Sequence, residues 1–337
     1  MESVGQHIPR DLDFDACVDA FMLAVDVKDS TRKTYRKALD VFGTWMKAES
    51  IDFQSVTRND IIAFKDSLLG TNHSALTVNL YLSALRQFFK WAEGEGRCAN
   101  VAASVGSVRT NKNTFRKMHL DSDEGAQLLD KAAVVKEVHG VNDGVTRVLS
   151  ASEYEIAMRN YAMINLMLRT GLRTIEVSRA DVGDIVRKKG KRILKVWGKG
   201  HSEKDDFVVL TDMAYEPIRQ YLTLRPGAAA AEPLFTTVGL NNSGKRMSTR
   251  TIQHICKETL RSIGLDGHEF SAHSIRHTTA TQILLKGGTM LDVQQVLRHA
   301  TPVTSQLYVN TIMEDKRLDD ASEKLLDSSF LAKEGEK

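Results

Sequence analysis

Over the first hundred residues the apolar side chains return every three or four positions, and this regularity confines the N-terminal part of the chain to packed amphipathic helices. Residues 11–25 carry Leu12, Cys17, Phe21 and Leu23; a second stretch, with Ser30 as its expected N-cap, sets Tyr35, Leu39, Phe42 and Met46 on one stripe. Thr57, with Asp60 three residues on, has the pattern of a capping box and opens a third helix through Ile61, Phe64 and Leu68. Ser74 starts a fourth, which turns Val78, Leu82, Leu85 and Phe89 inward.

The periodicity fails from residue 94 to 117, where Gly94, Gly96, Asn100, Gly106, Asn111 and Asn113 gather with Arg97, Arg109, Lys112, Arg116 and Lys117. A chain of 337 residues is long for one domain. The reading is therefore a helical domain over 1–96, a basic linker over 97–117 and a second domain over 118–337. With 42% hydrophobic and 26% charged residues, the disordered and collagen-like classes are excluded.

The second domain continues with a helix after Leu120 and another from about Glu153 to Arg169, ending at Gly171; residues 138–152 between them read as a loop. Residues 192–197 and 206–210 flank Gly198-Lys199-Gly200-His201 as a β-hairpin with a mobile tip. Helices resume over 213–224, 248–263, 272–286 and 290–298. With only 5 prolines and no long alternating stretch, the fold class is mainly α with a small β-hairpin or sheet, in a two-domain arrangement suited to clamping DNA.

A formal net charge of +3, from 46 Lys+Arg against 43 Asp+Glu, does not identify a polyanionic partner, so placement must. Arg32 and Arg36, Lys33 and Lys37, and Arg86 and Lys90 stand four apart and form two basic helical ridges able to straddle a phosphate backbone. Arg109 and Lys112 would let the linker lie along DNA, and Lys245, Arg246 and Arg250 stand where the helix from Ser248 begins. Cys17, Cys98 and Cys256 form neither a disulfide framework nor a zinc pattern, which fits a reducing cytoplasm. No stretch of 18 apolar residues or signal pattern points to a membrane.

Three short elements carry chemistry. In Thr170-Gly171-Leu172-Arg173, a glycine turn delivers Arg173 to a helix start, with Glu176 placed to pair with it. In Ser271-Ala272-His273-Ser274-Ile275-Arg276-His277, Ser271 caps a helix and His273 and Arg276 project together, an imidazole beside a guanidinium fork suited to a phosphate. His273 and His277 also have metal-ligand spacing, but Ser274 stands where a zinc helix has glutamate and Arg276 repels a cation. In the third, a helix ends near His299, Pro302 breaks it, and Thr304 or Ser305 caps a helix bearing Tyr308.

In this order and at these separations, the elements resemble those of the tyrosine recombinases, the phage integrase and Xer-type site-specific recombinases. The resemblance spans nearly the whole chain and implies a core-binding, SAM-like domain over 1–96 and a catalytic domain over 118–337. It implies that Arg173, Lys199, His273, Arg276 and His299 form the catalytic set with Tyr308 as nucleophile, and Glu176 as structural acid; Lys204 is the alternative hairpin lysine. One departure stands out: the family's usual glycine before the second histidine is Arg298 here, which either adds a phosphate contact or disturbs His299.

These residue types make sense around one phosphate. Only about one free tyrosine in a thousand is ionised at neutral pH, so clustered cations are needed to favour the phenolate and the charge growing on the non-bridging oxygens. The resemblance gives the general-acid role to the lysine and implies no cofactor or metal. It implies double-stranded DNA with specific sites as partner, a 3′-phosphotyrosyl intermediate and a Holliday junction, in element integration and excision or in multimer resolution. A homotetramer on two sites follows, joined through the apolar tail at Leu325, Leu326, Phe330 and Leu331, with a second recombinase or accessory factor as a further partner. The competing readings are a type IB topoisomerase or telomere resolvase, and a non-catalytic DNA-binding regulator.

Overall fold

The computed structural model describes residues 13–110, 118–133, 137–139, 146–197, 203–239 and 243–299. The chain divides into two compact units, 1–112 and 113–337. Among the described residues of the first, four α-helices form: α1 (Phe14–Ala24), α2 (Asp29–Ala48), α3 (Arg58–Gly70) and α4 (Ala75–Gly94), with a 3-10 turn over Phe53–Ser55.

Local chemistry sets the starts of these helices. Asp13 Oδ1 accepts from the Ala16 N–H at 2.8 Å, and Ser74 Oγ accepts from the Thr77 N–H at 3.2 Å. The Thr57 N–H and hydroxyl both donate to Asp60 Oδ2 at 2.7 Å. Ser30 is not the cap expected of it. Helix α2 begins at Asp29 with Lys28 in the cap position, because Asp29 supplies negative charge to the first turn and also receives Arg32 Nη1 at 3.0 Å.

Aromatic rings fill the first core. Phe42 meets Phe64 edge-on at 5.0 Å and Phe14 at 5.8 Å, and Phe14 meets Phe88 at 5.5 Å. A Cβ on Gly43 would come within 2.8 Å of the Phe14 ring, so the packing of α1 on α2 depends on that glycine. The expected linker is partly absorbed into this unit. Ala102 and Val105 are buried in the core, Val108 exchanges two hydrogen bonds with the Asn79 amide at 2.8 and 2.9 Å, and Arg86 Nη2 donates to the Val105 carbonyl at 2.6 Å.

The second unit comprises α5 (Ser122–Ala132), β1 (Glu137–His139), β2 (Thr146–Val148), α6 (Ala151–Thr170), α7 (Thr174–Arg179), β3 (Ile185–Lys188), β4 (Lys191–Val196), β5 (Asp206–Val209), α8 (Asp212–Thr223), α9 (Thr249–Arg261), α10 (Ala272–Leu285) and α11 (Met290–Leu297). Antiparallel pairing gives one sheet of β1 and β2 and another in the order β3-β4-β5. Strands β1, β2 and β3 lie outside the hairpin read from the sequence. Within 138–152, where the sequence reads as a loop, β1 enters over 138–139 and β2 lies at 146–148, since three-residue strands are too short for alternation to show. The hairpin gains β3 through the tight turn at Lys189 and Gly190, whose φ values of 47° and 76° match the twist of paired strands.

Helix α6 runs through this core with Met163, Ile164 and Leu166 fully buried. Thr279 Oγ1 donates to the Leu168 carbonyl and fixes α10 beside α6, and Thr278 Oγ1 accepts from the Leu120 N–H just ahead of α5, both at 2.8 Å. Cys17 and Cys256 are buried thiols, and burial pushes Cys256 up to about 12. Among the described residues no helix is long and apolar enough to cross a membrane.

Candidate active site

Helix α6 ends in a left-handed residue, Gly171, at φ 62°. Two constraints require glycine there: the backbone angle, and the Leu297 side chain together with Thr279, which occupy the space a Cβ would need. The turn sets Arg173 at the N-cap of α7. An arginine side chain cannot accept a hydrogen bond, so Glu176 caps the helix by receiving the Arg173 N–H at 2.7 Å, and takes Arg173 Nη1 at 2.9 Å. The Arg173 side chain remains 30% exposed, whereas that of Glu176 is 6% exposed.

Helix α10 presents its histidines differently. Its N-cap Ser271 accepts from the His273 N–H at 3.3 Å, leaving His273 exposed in the first turn, while His277, one turn on, is buried. The spacing that resembles a metal pair thus puts one ring outside and one in the core. Among the described residues no group of three His, Cys, Asp or Glu side chains is placed to hold a metal ion. Arg276 is buried and acts as a bridge: Nη1 donates to the Gly171 carbonyl and Nη2 to the Leu297 carbonyl at 2.5 Å.

Helix α11 closes with a Schellman motif. The Arg298 N–H returns to the Gln295 carbonyl at 3.2 Å and the His299 N–H to Gln294 at 3.0 Å. The left-handed position, at φ 54° and ψ 51°, is Arg298. For a residue with a Cβ this costs roughly 1–2 kcal/mol, which is why glycine is the usual residue at such a helix terminus. The side chain turns inward rather than toward solvent, and Nη2 lies 2.6 Å from Glu176 Oε2.

Arg173, Glu176, Arg276, Arg298 and His299 therefore meet where two turns pack together. Burial lowers the His299 pKa to about 4, helped by the charges of Arg276, Arg173 and Arg298. Burial likewise takes His277 to about 3, with His273, His119, Arg276 and His299 adding to it. His299 is neutral at pH 7 and can donate one ring N–H to an oxyanion without carrying charge.

Lys204 has another occupation. Its Nζ lies 2.6 Å from Asp181 Oδ2 and 2.5 Å from Asp184 Oδ2. Asp181 also receives Arg246 at 2.5 Å; burial opposes its ionisation, but these two cations outweigh it and lower its pKa. Lys204 and Arg246 line a groove of about 560 Å³ with Arg179, Asp181 and Trp197. Lys199, Tyr308, Lys112 and the apolar tail at Leu325–Leu331 lie outside the described residues.

The expected DNA ridges are thinner than their sequence. Arg36 is paired with Asp19 at 2.5 Å and Asp40 at 3.0 Å, Arg32 with Asp29, and Arg86 holds residues 105–107. Arg246 donates to Asp181 and to the Ser178 carbonyl. Lys33, Lys37, Lys90, Arg109, Lys245 and Arg250 are exposed. Sequence reasoning missed the pairing of Arg298 with Glu176; the basic residue in a glycine position was its one visible sign.

The profile of the phage integrase family matches residues 142–314, and that of the phage integrase N-terminal SAM-like domain matches residues 20–96. The chain is 30% identical over 275 residues to tyrosine recombinase XerC of Corynebacterium glutamicum, covering 79% of this chain and 83% of that protein. Its fold is similar to the XerH site-specific recombinase bound to a palindromic difH substrate in a post-cleavage complex, with a TM-score of 0.69 at 20% identity over 94% of this chain and 85% of the other. It is also similar to a lambda integrase tetramer bound to a Holliday junction, with a TM-score of 0.61 at 16% identity over 88% of this chain and 77% of the other. With both halves matched and the arginine and histidine turns brought together, the chain belongs to the phage integrase family and is a tyrosine recombinase, an enzyme of site-specific recombination.

Proposed function

We propose that the chain cleaves and rejoins double-stranded DNA at defined sites through a covalent bond to Tyr308. The observation that carries this reading is the convergence of Arg173, Arg276 and His299 at two turns tied together by Arg276. Arg173, partly exposed above buried Arg276, supplies a second guanidinium for the non-bridging oxygens of one phosphate. His299, held neutral, donates to the same phosphate, and exposed His273 takes the phenol proton as Tyr308 Oη attacks phosphorus.

As the Oη–P bond forms, the bond from phosphorus to the 5′ oxygen breaks, and Lys199 gives that oxygen a proton. Lys204 is a poor candidate for this step because two carboxylates hold it. The 3′-phosphotyrosyl ester keeps the bond energy, so a 5′ hydroxyl from another duplex reverses the step and builds a Holliday junction without a cofactor. Four copies on two sites are the proposed assembly, with Lys33, Lys37, Lys90, Arg109, Lys112, Lys245 and Arg250 on the backbone, in the cytoplasm, with or without an accessory protein. The outcome is integration and excision of a mobile element or resolution of replicon multimers.

The test begins with the purified protein and fragmented genomic DNA of its source, from which DNA covalently bound to protein is recovered after denaturation and sequenced. A recurrent site is expected, and two copies of it in one plasmid should yield recombined circles. Relaxation of supercoils without exchange would favour a type IB topoisomerase. The absence of any covalent complex would leave a DNA-binding regulator.

A further inference from the structure

We infer that Arg298 is a positioning residue of the recombination reaction, tying the His299 turn to the Arg173 turn through Glu176; the inference rests on the recombinase reading above. A lone arginine in a left-handed helix terminus needs a reason, because glycine adopts φ 54° without strain. Its contacts give one. Nη2 meets Glu176 Oε2 at 2.6 Å, Nη1 donates to the Val296 carbonyl at 2.8 Å, and Nε lies 3.7 Å from Asp206 Oδ2.

Glu176 in turn holds both the backbone and the guanidinium of Arg173. His299 is thus joined to Arg173 by one peptide bond and two ion pairs. Arg276 connects the same two turns at different atoms, the carbonyls of Gly171 and Leu297. A single tie leaves a hinge, whereas two ties at separate points fix the angle between the turns. Asp206 opens β5, the strand that follows residues 198–202, so the same guanidinium also reaches the base of the hairpin that carries Lys199. A direct phosphate contact does not fit, since all three nitrogens of this guanidinium face acceptors of the protein itself, Nη2 at Glu176, Nη1 at the Val296 carbonyl and Nε at Asp206.

Arg298→Gly and Arg298→Lys, on nicked duplexes carrying the site that the wild type captures from genomic DNA, test the inference. Glycine suits the backbone, so R298G should stay folded, bind the duplex within about twofold of wild type and keep the salt slope of binding. Covalent complex formation at saturating protein should slow by about tenfold or more, the scale of a small misplacement of reacting groups. R298K keeps the charge without the fork and should fall between the two. Cleavage by R298G at the wild-type rate would overturn the inference. So would weaker binding with a salt slope reduced by about 0.9 and unchanged cleavage at saturation, the signature of a phosphate ligand. Should R298G fail to fold, R298K is read by the same comparison, and wild-type cleavage by it overturns the inference. If the wild type itself forms no complex, the recombinase reading fails as well, which separates the two failures.

Discussion

Arg276 spends two of the five donors of its guanidinium on backbone carbonyls, so it builds the candidate site in addition to the phosphate-binding role proposed for it. Lysine cannot span both carbonyls. Arg276→Lys should therefore lower the rate of covalent complex formation by at least about a hundredfold, the usual scale for removing an oxyanion donor. It should also lower thermal stability, since each buried carbonyl left unsatisfied costs roughly 1–3 kcal/mol; an unchanged melting temperature would show that the bridge does not hold the turns. The histidines set a pH dependence. His277 and His299 have folded values near 3 and 4, below the ordinary 6.5, so the unfolded chain binds protons first on acidification. Their contribution to stability is complete above pH 6.5 and declines below it, toward pH 4 for His299 and pH 3 for His277, by up to about 1.4 kcal/mol per pH unit for each. Melting curves between about pH 7.5 and 5 should show this loss, and His277→Gln should flatten it.

At the scale of elements, Gly171 is where α6, α7 and α11 depend on one another. Gly171→Ala needs a strained backbone and displaces Leu297, so it should destabilise the unit by roughly 1–3 kcal/mol, read by denaturant unfolding, and reduce cleavage together with stability. The two hairpin lysines separate by a different measurement. Lys199→Ala should slow cleavage of an ordinary duplex yet recover on one whose leaving oxygen is replaced by sulfur, which needs no proton, whereas Lys204→Met should lower stability without such rescue. Much of this level was legible in the sequence. Ser74, Thr57, Ser271 and Gly171 mark helix ends because their side chains or backbone freedom act on neighbours within four residues. Strands β1 and β2 escaped notice because three residues do not display a period, and β3 because Lys189-Gly190 is a weaker turn signal than Asn-Gly. The Glu176 to Arg298 contact joins positions 122 apart, and no local pattern encodes such a pairing.

For the whole molecule, the division into two units was readable from the lapse in helical periodicity, but the absorption of residues 97–108 into the first unit was not. The small apolar residues of this stretch, Ala102 and Val105 among them, follow no helical period, and their burial depends on the folded core and on ties to Asn79 and Arg86 of α4. The charge count was equally uninformative until the structure separated arginines tied to their own chain from exposed lysines. Replacing Lys33, Lys37 and Lys90 together by glutamine should weaken DNA binding and reduce its salt slope by about 0.9 for each phosphate no longer neutralised, in binding titrations across salt. Removing the chain from Leu325 onward should leave cleavage of one site intact and abolish four-copy complexes on two sites in native gels or light scattering; unaltered assembly would place the joining surface elsewhere. Whether a phenol attacks the phosphate held by these turns is tested most directly by mass spectrometry of the proteolysed covalent complex. The expected result is a nucleotide on the peptide containing Tyr308 and no covalent complex with Tyr308→Phe; a nucleotide on any other residue, or a complex that survives the substitution, would contradict it.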